Sequence, residues 1–281
     1  MRVAIIGANG QVGEQLVRAF GDRNVISLSR INCDLTDRNH IRSALSSARP
    51  DLIVVAAAFT DVDRAESNRT LAFAVNALAP RWIATESRRM NAGVVYISTD
   101  FIFDGDADHP YDEWSTPNPR SIYGRSKLAG ETEIKSHAER WWIIRTSWVY
   151  GGPGRNFVNS IRRAAATGAS LTVVDDEVGN PTFATDLAIG MRQLIDHDAP
   201  GTYHLSNAGE CSRLEFARAI VELSGSNSRV EPTTSAKYSE MHPLAARRPP
   251  YSSLANNAAA ALGVSLRPWR EALTEHLCGH Q

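Results

Sequence analysis

Cysteine is scarce. The 281 residues hold three, Cys33, Cys211 and Cys278. No two of them stand at metal-knuckle spacing, and three scattered thiols build no disulfide framework. That usage fits a reducing cytoplasm. The 8 histidines form no ligand spacing either, so no metal site is expected. No sign of charge dominates: 30 Lys and Arg stand against 31 Asp and Glu, for a formal net charge of -1. A partner such as nucleic acid or an anionic membrane wants a basic stretch, and none is present. The longest apolar run, "LIVVAAAF", is too short to cross a bilayer. The amino end, "MRVAIIGANGQ", is broken by Gly7 and does not make a signal peptide. Internal repeats and low-complexity tracts are also lacking. A soluble cytoplasmic protein is expected. A small anionic ligand stays open, because a local site needs only a few cations.

What is present is a hydrophobic fraction of 43% in a regular rhythm. "RVAIIG" is a short, β-branched apolar run ended by glycine, as a buried parallel strand should be. "GEQLVRAFG" has helical spacing. "VISLS", "DLIVVAAA", "GVVYISTD" and "WWIIRTSWVYG" read as further strands. "RNHIRSALSSA" and the long "TLAFAVNALAPRWIATESRRM" read as helices between them. Parallel strands need crossovers, so the alternation predicts an α/β fold, a Rossmann-type doubly wound parallel sheet. After Gly151 the rhythm loosens. "NFVNSIRRAAATG", "DLAIGMRQLIDH" and "RLEFARAIVELSG" read as helices, and "LTVVD" and "TYHLS" as strands. Pro-rich turns fall at "MHPLAARRPPYSS" and "LRPW". Two units follow: a dinucleotide-binding domain over residues 1–150, and a smaller α/β substrate-binding unit over 151–281, some of whose elements pack back on the first.

"GANGQVG" sets Gly7, Gly10 and Gly13 at the turn from the first strand into the first helix. Glycines there allow a tight turn and close approach to a pyrophosphate, and the helix amino end offers free N–H groups. A glycine pattern alone is only a strand-helix turn. In this place it is the context a dinucleotide site requires. The spacing is GxxGxxG. The second strand ends in Ser29 and Arg30, where NAD-selective folds put a carboxylate. A hydroxyl and a guanidinium suit a 2′-phosphate, so NADPH is favoured and NADH is the lesser choice. The competing reading makes Arg30 a solvated surface residue. Asp34 and Leu35 are placed beside the adenine.

Further on, "SIYGRSKLAGE" holds Tyr123 and Lys127 four residues apart, on one helical face. A cation beside a phenol favours the phenolate and lowers its pKa. By itself the interval fits a tuned acid/base pair or an ordinary surface Tyr and Lys.

Glycine loop, "STD" at the end of the fourth strand and Tyr-x-x-x-Lys occur together and in that order. The combination resembles the extended short-chain dehydrogenase/reductase family. "AAAFTDVDRAE", "NALAP", "YISTDFIFDG", "PNPRSIYGRSKLAGE", "IIRTSWVYG" and "NPT" narrow it to a resemblance to the dTDP-4-dehydrorhamnose reductases, over essentially the whole chain. The resemblance implies catalysis by Tyr123 and Lys127, with Thr99 as the hydroxyl on the substrate carbonyl. It implies a cofactor contacted by Gly7, Asn9, Gly10, Gln11, Val12 and Gly13, by Ala56, Ala57 and Ala58, and by Asn76. On the substrate side it implies Ser98, Asp100, Trp148, Asn156, Asn180 and Arg247; the Pro-stiffened "ARRPP" adds Arg248 as a second cation for a pyrophosphate. It implies a nucleotide-sugar substrate reduced at C4, and a homodimer. Some relatives are described with magnesium at a dimer contact near the positions of Glu14 and Gln15. The chemistry of these residue types agrees with the resemblance: Tyr123 gives a proton, Lys127 lowers its pKa, and Thr99 polarises the ketone.

Three other activities compete. Dehydratases of the same shape carry Thr-Asp-Glu after this strand, and the glutamate is their base. Here Phe101 follows Thr99 and Asp100, and phenylalanine takes no proton. An epimerase is harder to separate. A non-catalytic NADP-binding regulatory subunit would share the fold, and the intact Thr99, Tyr123 and Lys127 weigh against it.

Overall fold

The computed structural model describes residues 1–152, 154–241 and 246–279. The first half runs β1 (Arg2–Ile6), α1 (Gln11–Ala19), β2 (Asn24–Leu28), α2 (Arg38–Ala48), β3 (Leu52–Val55), α3 (Val62–Ser67), α4 (Arg69–Phe73), a π-helical turn (Ala74–Leu78), α5 (Ala79–Arg89), β4 (Gly93–Thr99), α6 (Ile122–His137) and β5 (Trp141–Thr146). The second half runs β6 (Val149–Tyr150), α7 (Phe157–Ala165), β7 (Leu171–Val174), β8 (Val178–Gly179), β9 (Thr182–Phe183), α8 (Ala184–Asp196), β10 (Gly201–His204), β11 (Cys211–Ser212), α9 (Arg213–Leu223), β12 (Val230–Thr233), α10 (Ser235–Met241), α11 (Asn257–Ala261) and α12 (Trp269–Cys278).

The main sheet is six-stranded in the order β10-β5-β4-β3-β1-β2, and every pairing in it is parallel. The chain leaves β1 outward to β2, then crosses back to β3. That reversal opens a crevice at the carboxyl ends of β1 and β3, where doubly wound sheets bind ligands. Strand alternation divides the core. Val3 and Ile5 face Leu16, Leu187 and Met191 on one side, while Ala4 and Ile6 face Ile41, Leu45 and Ile83 on the other. Burying each Leu, Ile or Val of this kind is worth roughly 1.5–3 kcal/mol. Helix starts carry their own signals. Asp37 caps α2, Ser121 caps α6, and Ser212 with Glu215 forms a capping box on α9.

Elements of the second half return to the first, and the structure departs from the sequence-based expectations in two places. "DLAIGMRQLIDH" and "TYHLS" belong to the large sheet: α8 lies against α1, and β10 pairs with β5 as the edge strand. Apolar periodicity finds such elements but does not say which sheet they join. The long helix of residues 69–89 contains the π-helical turn, which holds Asn76. The strand "WWIIRTSWVYG" is cut at Trp148, whose φ of 44° is left-handed, so β5 stops and β6 starts on a new line. β6 pairs with β9, and the paired short strands β7/β12 and β8/β11 support a second core around Tyr150, Phe216, Ile220 and Leu273. The expected turn at "MHPLAARRPP" lies partly outside the described residues, which omit 242–245.

Candidate active site

The glycine loop leaves β1 with Gly7 at φ +86°, a conformation that L side chains rarely adopt. A Cβ on Gly7 would lie 2.7 Å from the Ala57 nitrogen, and one on Gly13 would lie 2.0 Å from the Gly7 carbonyl oxygen. The loop therefore packs against the residues after β3 and against its own helix with no room to spare. Gly10 precedes α1 without a side-chain cap, and its N–H donates to the Gly7 carbonyl (2.9 Å). Asn9 is exposed, and Val12 packs on the core beside the sheet. Gln11 binds outward: its Nε2 donates to the Val149 carbonyl (2.9 Å) and its Oε1 accepts from Asn156 Nδ2 (3.0 Å). Asn156 also caps α7, so it lies one hydrogen bond from the glycine loop.

β2 ends at Leu28, whose carbonyl accepts from the Gly7 and Ala8 N–H groups. That bond puts Ser29 and exposed Arg30 immediately beside the loop. Asp34 turns its carboxylate into a local turn with Thr36 and is held below its ordinary pKa by those two hydrogen bonds. Leu35 is buried in the core with Ile6. Ala56 and Ala57 donate their N–H groups to the Ile6 carbonyl, and Ala58 follows, half-buried. Asn76 is 1% exposed and pins this stretch: it accepts from the Phe59 N–H (2.8 Å), donates to the Phe59 carbonyl (3.0 Å) and donates to Ser126 (2.9 Å). It acts here as a clip on the backbone.

Thr99 ends β4, and a tight turn over Asp100–Ile102 follows. Gly124 allows α6 to press on that turn, since a Cβ there would meet the Phe101 carbonyl oxygen at 2.1 Å. Tyr123 is thereby brought to Thr99. The Thr99 hydroxyl lies near enough to the phenol to lower its pKa, and the Tyr123 ring meets Phe101 edge-on at 5.6 Å. Burial pushes the phenol up to about 12; the Thr99 hydroxyl draws it partly back, and the Asp100 charge raises it. Thr99 Oγ1 donates to Asp100 Oδ1 (3.0 Å), and Ser252 Oγ donates to Asp100 Oδ2 (2.7 Å). Burial raises Asp100 to about 6 against those hydrogen bonds.

Lys127 shares the α6 face with Tyr123 and is 2% exposed. Its Nζ donates to the Ile97 carbonyl (2.6 Å) and sits 3.9 Å from the centre of the Tyr96 ring. Burial lowers its pKa to about 7, with the Glu131 carboxylate pulling the other way. This corrects one expectation: in this structure the phenol's pKa is raised, and the groups that set it are burial, Thr99 and Asp100. The ammonium instead answers to the strand and to Glu131.

Ser98, expected at the substrate, donates to Glu131 (2.5 Å) beneath the site. Glu131 is held by Arg145 through two hydrogen bonds (3.1 and 2.9 Å), both residues being buried. Glu131 escaped the sequence reading, although "KLAGE" puts it one helical turn from Lys127 and that spacing was the signal. Arg145 and Ser252 carried no such mark.

Trp148 follows β5 and packs beside Phe216. Gly179 lies against it so closely that a Cβ would fall 2.7 Å from the indole. Asn180 is 5% exposed and ties backbones together, accepting from the Leu254 N–H (2.7 Å) and donating to the Gly209 carbonyl (2.8 Å). Arg247 is exposed, whereas Arg248 makes a two-pronged ion pair with Asp63 (3.1 Å each). Glu14 and Gln15 lie on α1, where Gln15 accepts from Thr185 (3.1 Å). Among the described residues no group of three or more His, Cys, Asp or Glu is placed to hold a metal ion, and no helix is long and apolar enough to cross a membrane.

The Gly-rich loop thus follows β1, and Thr99 with the Tyr123 and Lys127 face of α6 lies at the end of β4, two strands along the same sheet. The profile of the family described as the RmlD substrate binding domain matches residues 1–280. The chain belongs to this family. It is 39% identical to a dTDP-4-dehydrorhamnose reductase of Mycolicibacterium smegmatis, covering 98% of this chain and 84% of that protein. It is 40% identical to the spore coat polysaccharide biosynthesis protein SpsK of Bacillus subtilis, covering 98% and 96%. Among solved structures, the dTDP-4-dehydrorhamnose reductase of Bacillus anthracis in complex with NADP superposes with a TM-score of 0.94 at 36% identity, covering 100% of this chain and 99% of that one. Family membership and the α/β fold of these relatives accord with the observed sheet and crevice.

Proposed function

We propose that this chain reduces the C4 ketone of dTDP-4-dehydro-6-deoxy-L-mannose (dTDP-4-dehydro-L-rhamnose) to dTDP-L-rhamnose, with NADPH as the reductant. What supports the reading is the packing of α6 on the turn after β4, which brings Tyr123 to Thr99, with Lys127 one helical turn along the same face and Phe101 where a dehydratase needs its base.

The residues present fit the cofactor. Gly7 and Gly13 let the loop close tightly on Ala57 and on its own helix, and the amino end of α1 behind it carries no side-chain cap. Ser29 and Arg30 offer a hydroxyl and a guanidinium where a 2′-phosphate belongs. When bound, the dihydronicotinamide supplies the hydride. The protein supplies the proton and the geometry. With its pKa near 12 the Tyr123 phenol keeps its proton at neutral pH and can give it to an alkoxide. The Thr99 hydroxyl stands beside it as a second hydrogen-bonding group for the ketone oxygen. Lys127, anchored on the Ile97 carbonyl, stands one helical turn from Tyr123 as an N–H donor on the same α6 face. Trp148 offers an apolar wall for the hexose.

A homodimer in the cytoplasm belongs to the same proposal, supported by the family resemblance; light scattering tests the oligomer. The substrate is tested by coupling the protein to the 3,5-epimerase that makes its 4-keto sugar, and identifying the product by NMR. dTDP-L-rhamnose is the expected product. Another 6-deoxyhexose would keep the mechanism and remove the substrate assignment. No NADPH-dependent product from any dTDP-4-keto sugar would favour a binding subunit.

A further inference from the structure

Arg213 is the first residue of α9, in the carboxyl-terminal half, and no motif marks it. Its guanidinium lies 3.5 Å from the centre of the Trp148 indole and 5.2 Å from that of Phe157. Its side chain is only 15% exposed. The nearest carboxylate, Glu177, is 3.6 Å from Nε, an ion pair longer than a hydrogen bond. A guanidinium has five N–H donors. Among the described residues, no protein acceptor takes a hydrogen bond from those of Arg213.

The surroundings say what is missing. Arg213 acts electrostatically on Asp100, which binds Thr99, and on Arg248. It therefore lies within electrostatic reach of both the Thr99–Asp100 turn and Arg248. Arg248, the more obvious anion ligand in sequence, is already engaged by both oxygens of Asp63. Arg213 has its guanidinium over the indole, and its one ion pair, to Glu177, is longer than a hydrogen bond. A fork of donors on a rigid plane is matched by the oxygens of a phosphate. Trp148, in its left-handed conformation, gives the plane its place.

We propose that Arg213 is a substrate-binding residue that takes the diphosphate of the nucleotide-sugar, using the Trp148 indole as its platform. This rests on the nucleotide-sugar reading above. It adds a ligand group that neither the sequence motifs nor the family resemblance assigned.

The test compares dTDP and dTMP, which differ by the β-phosphate, in calorimetric titrations of the NADP-loaded protein. Arg213→Gln keeps the stem against the indole and removes the charge. Wild type should bind dTDP more tightly than dTMP. The variant should lose about tenfold in dTDP affinity, as for one charge-assisted contact, with dTMP and NADPH affinities little changed. Arg213→Lys keeps the charge without the fork. It should lose less, again for dTDP alone, and it carries the test if the glutamine variant does not fold. Unchanged dTDP affinity, or an equal loss for both nucleotides, overturns the proposal while leaving the nucleotide-sugar reading intact. A wild-type protein that binds neither nucleotide removes both.

Discussion

The Tyr123 phenol lies near enough to the Thr99 hydroxyl to be influenced by it, although one is in the first turn of α6 and the other ends β4. Gly124 makes the meeting possible by letting the helix touch the Phe101 carbonyl. Tyr123→Phe keeps the ring's packing and removes only the proton. Turnover should fall by about 10²–10⁴-fold while NADPH binding, read by fluorescence, stays near wild type. Near-normal turnover would take the phenol out of the mechanism.

Asp100 ionises in an unfavourable place. Its pKa is raised from 3.8 to about 6, chiefly by burial. A carboxyl raised on folding contributes stability that is present below pH 3.8 and is lost as pH rises through about 6. Asp100→Asn should therefore raise Tm at pH 8, by the equivalent of at most on the order of 3 kcal/mol, and leave it nearly unchanged at pH 3.5. Thermal melts at the two pH values check this. A variant less stable at pH 8 would mean that the bonds to Thr99 and Ser252 outweigh the burial cost.

Arg30 follows the β2 strand, whose Leu28 carbonyl is tied to the glycine loop. Arg30→Ala should narrow the NADPH-over-NADH preference about tenfold in kcat/KM, the worth of one charge-assisted contact. Steady-state kinetics with both cofactors decide. Equal use of the two by wild type would make Arg30 an ordinary surface residue.

Gly179 is the backstop of Trp148. Gly179→Ala would put a methyl group 2.7 Å from the indole, so the ring must move. KM for the sugar nucleotide should rise, roughly tenfold for a displaced aromatic wall, with KM for NADPH unchanged. A parallel rise in both would point to general unfolding of the second core.

The first 150 residues announce themselves because their signals are local. Val3 to Ile6 alternate between two apolar layers, Gly7 and Gly13 sit where no Cβ fits, and Tyr123 and Lys127 are one helical turn apart. Such features are periodic or stereochemical, and they can be read residue by residue. Tertiary structure decided the rest. Whether β10 joins the large sheet depends on which edge is open after β5. Ser98 and Thr99 are neighbours in sequence, yet the strand turns one toward Glu131 and lets the other meet Tyr123. The Lys127 ammonium finds the Ile97 carbonyl and the Tyr96 ring, from a neighbouring strand. Arg213 and Trp148 become partners only because Trp148 breaks the strand with a left-handed residue and α9 starts beside it. Such pairings depend on long-range packing, which leaves no period and no motif in the chain.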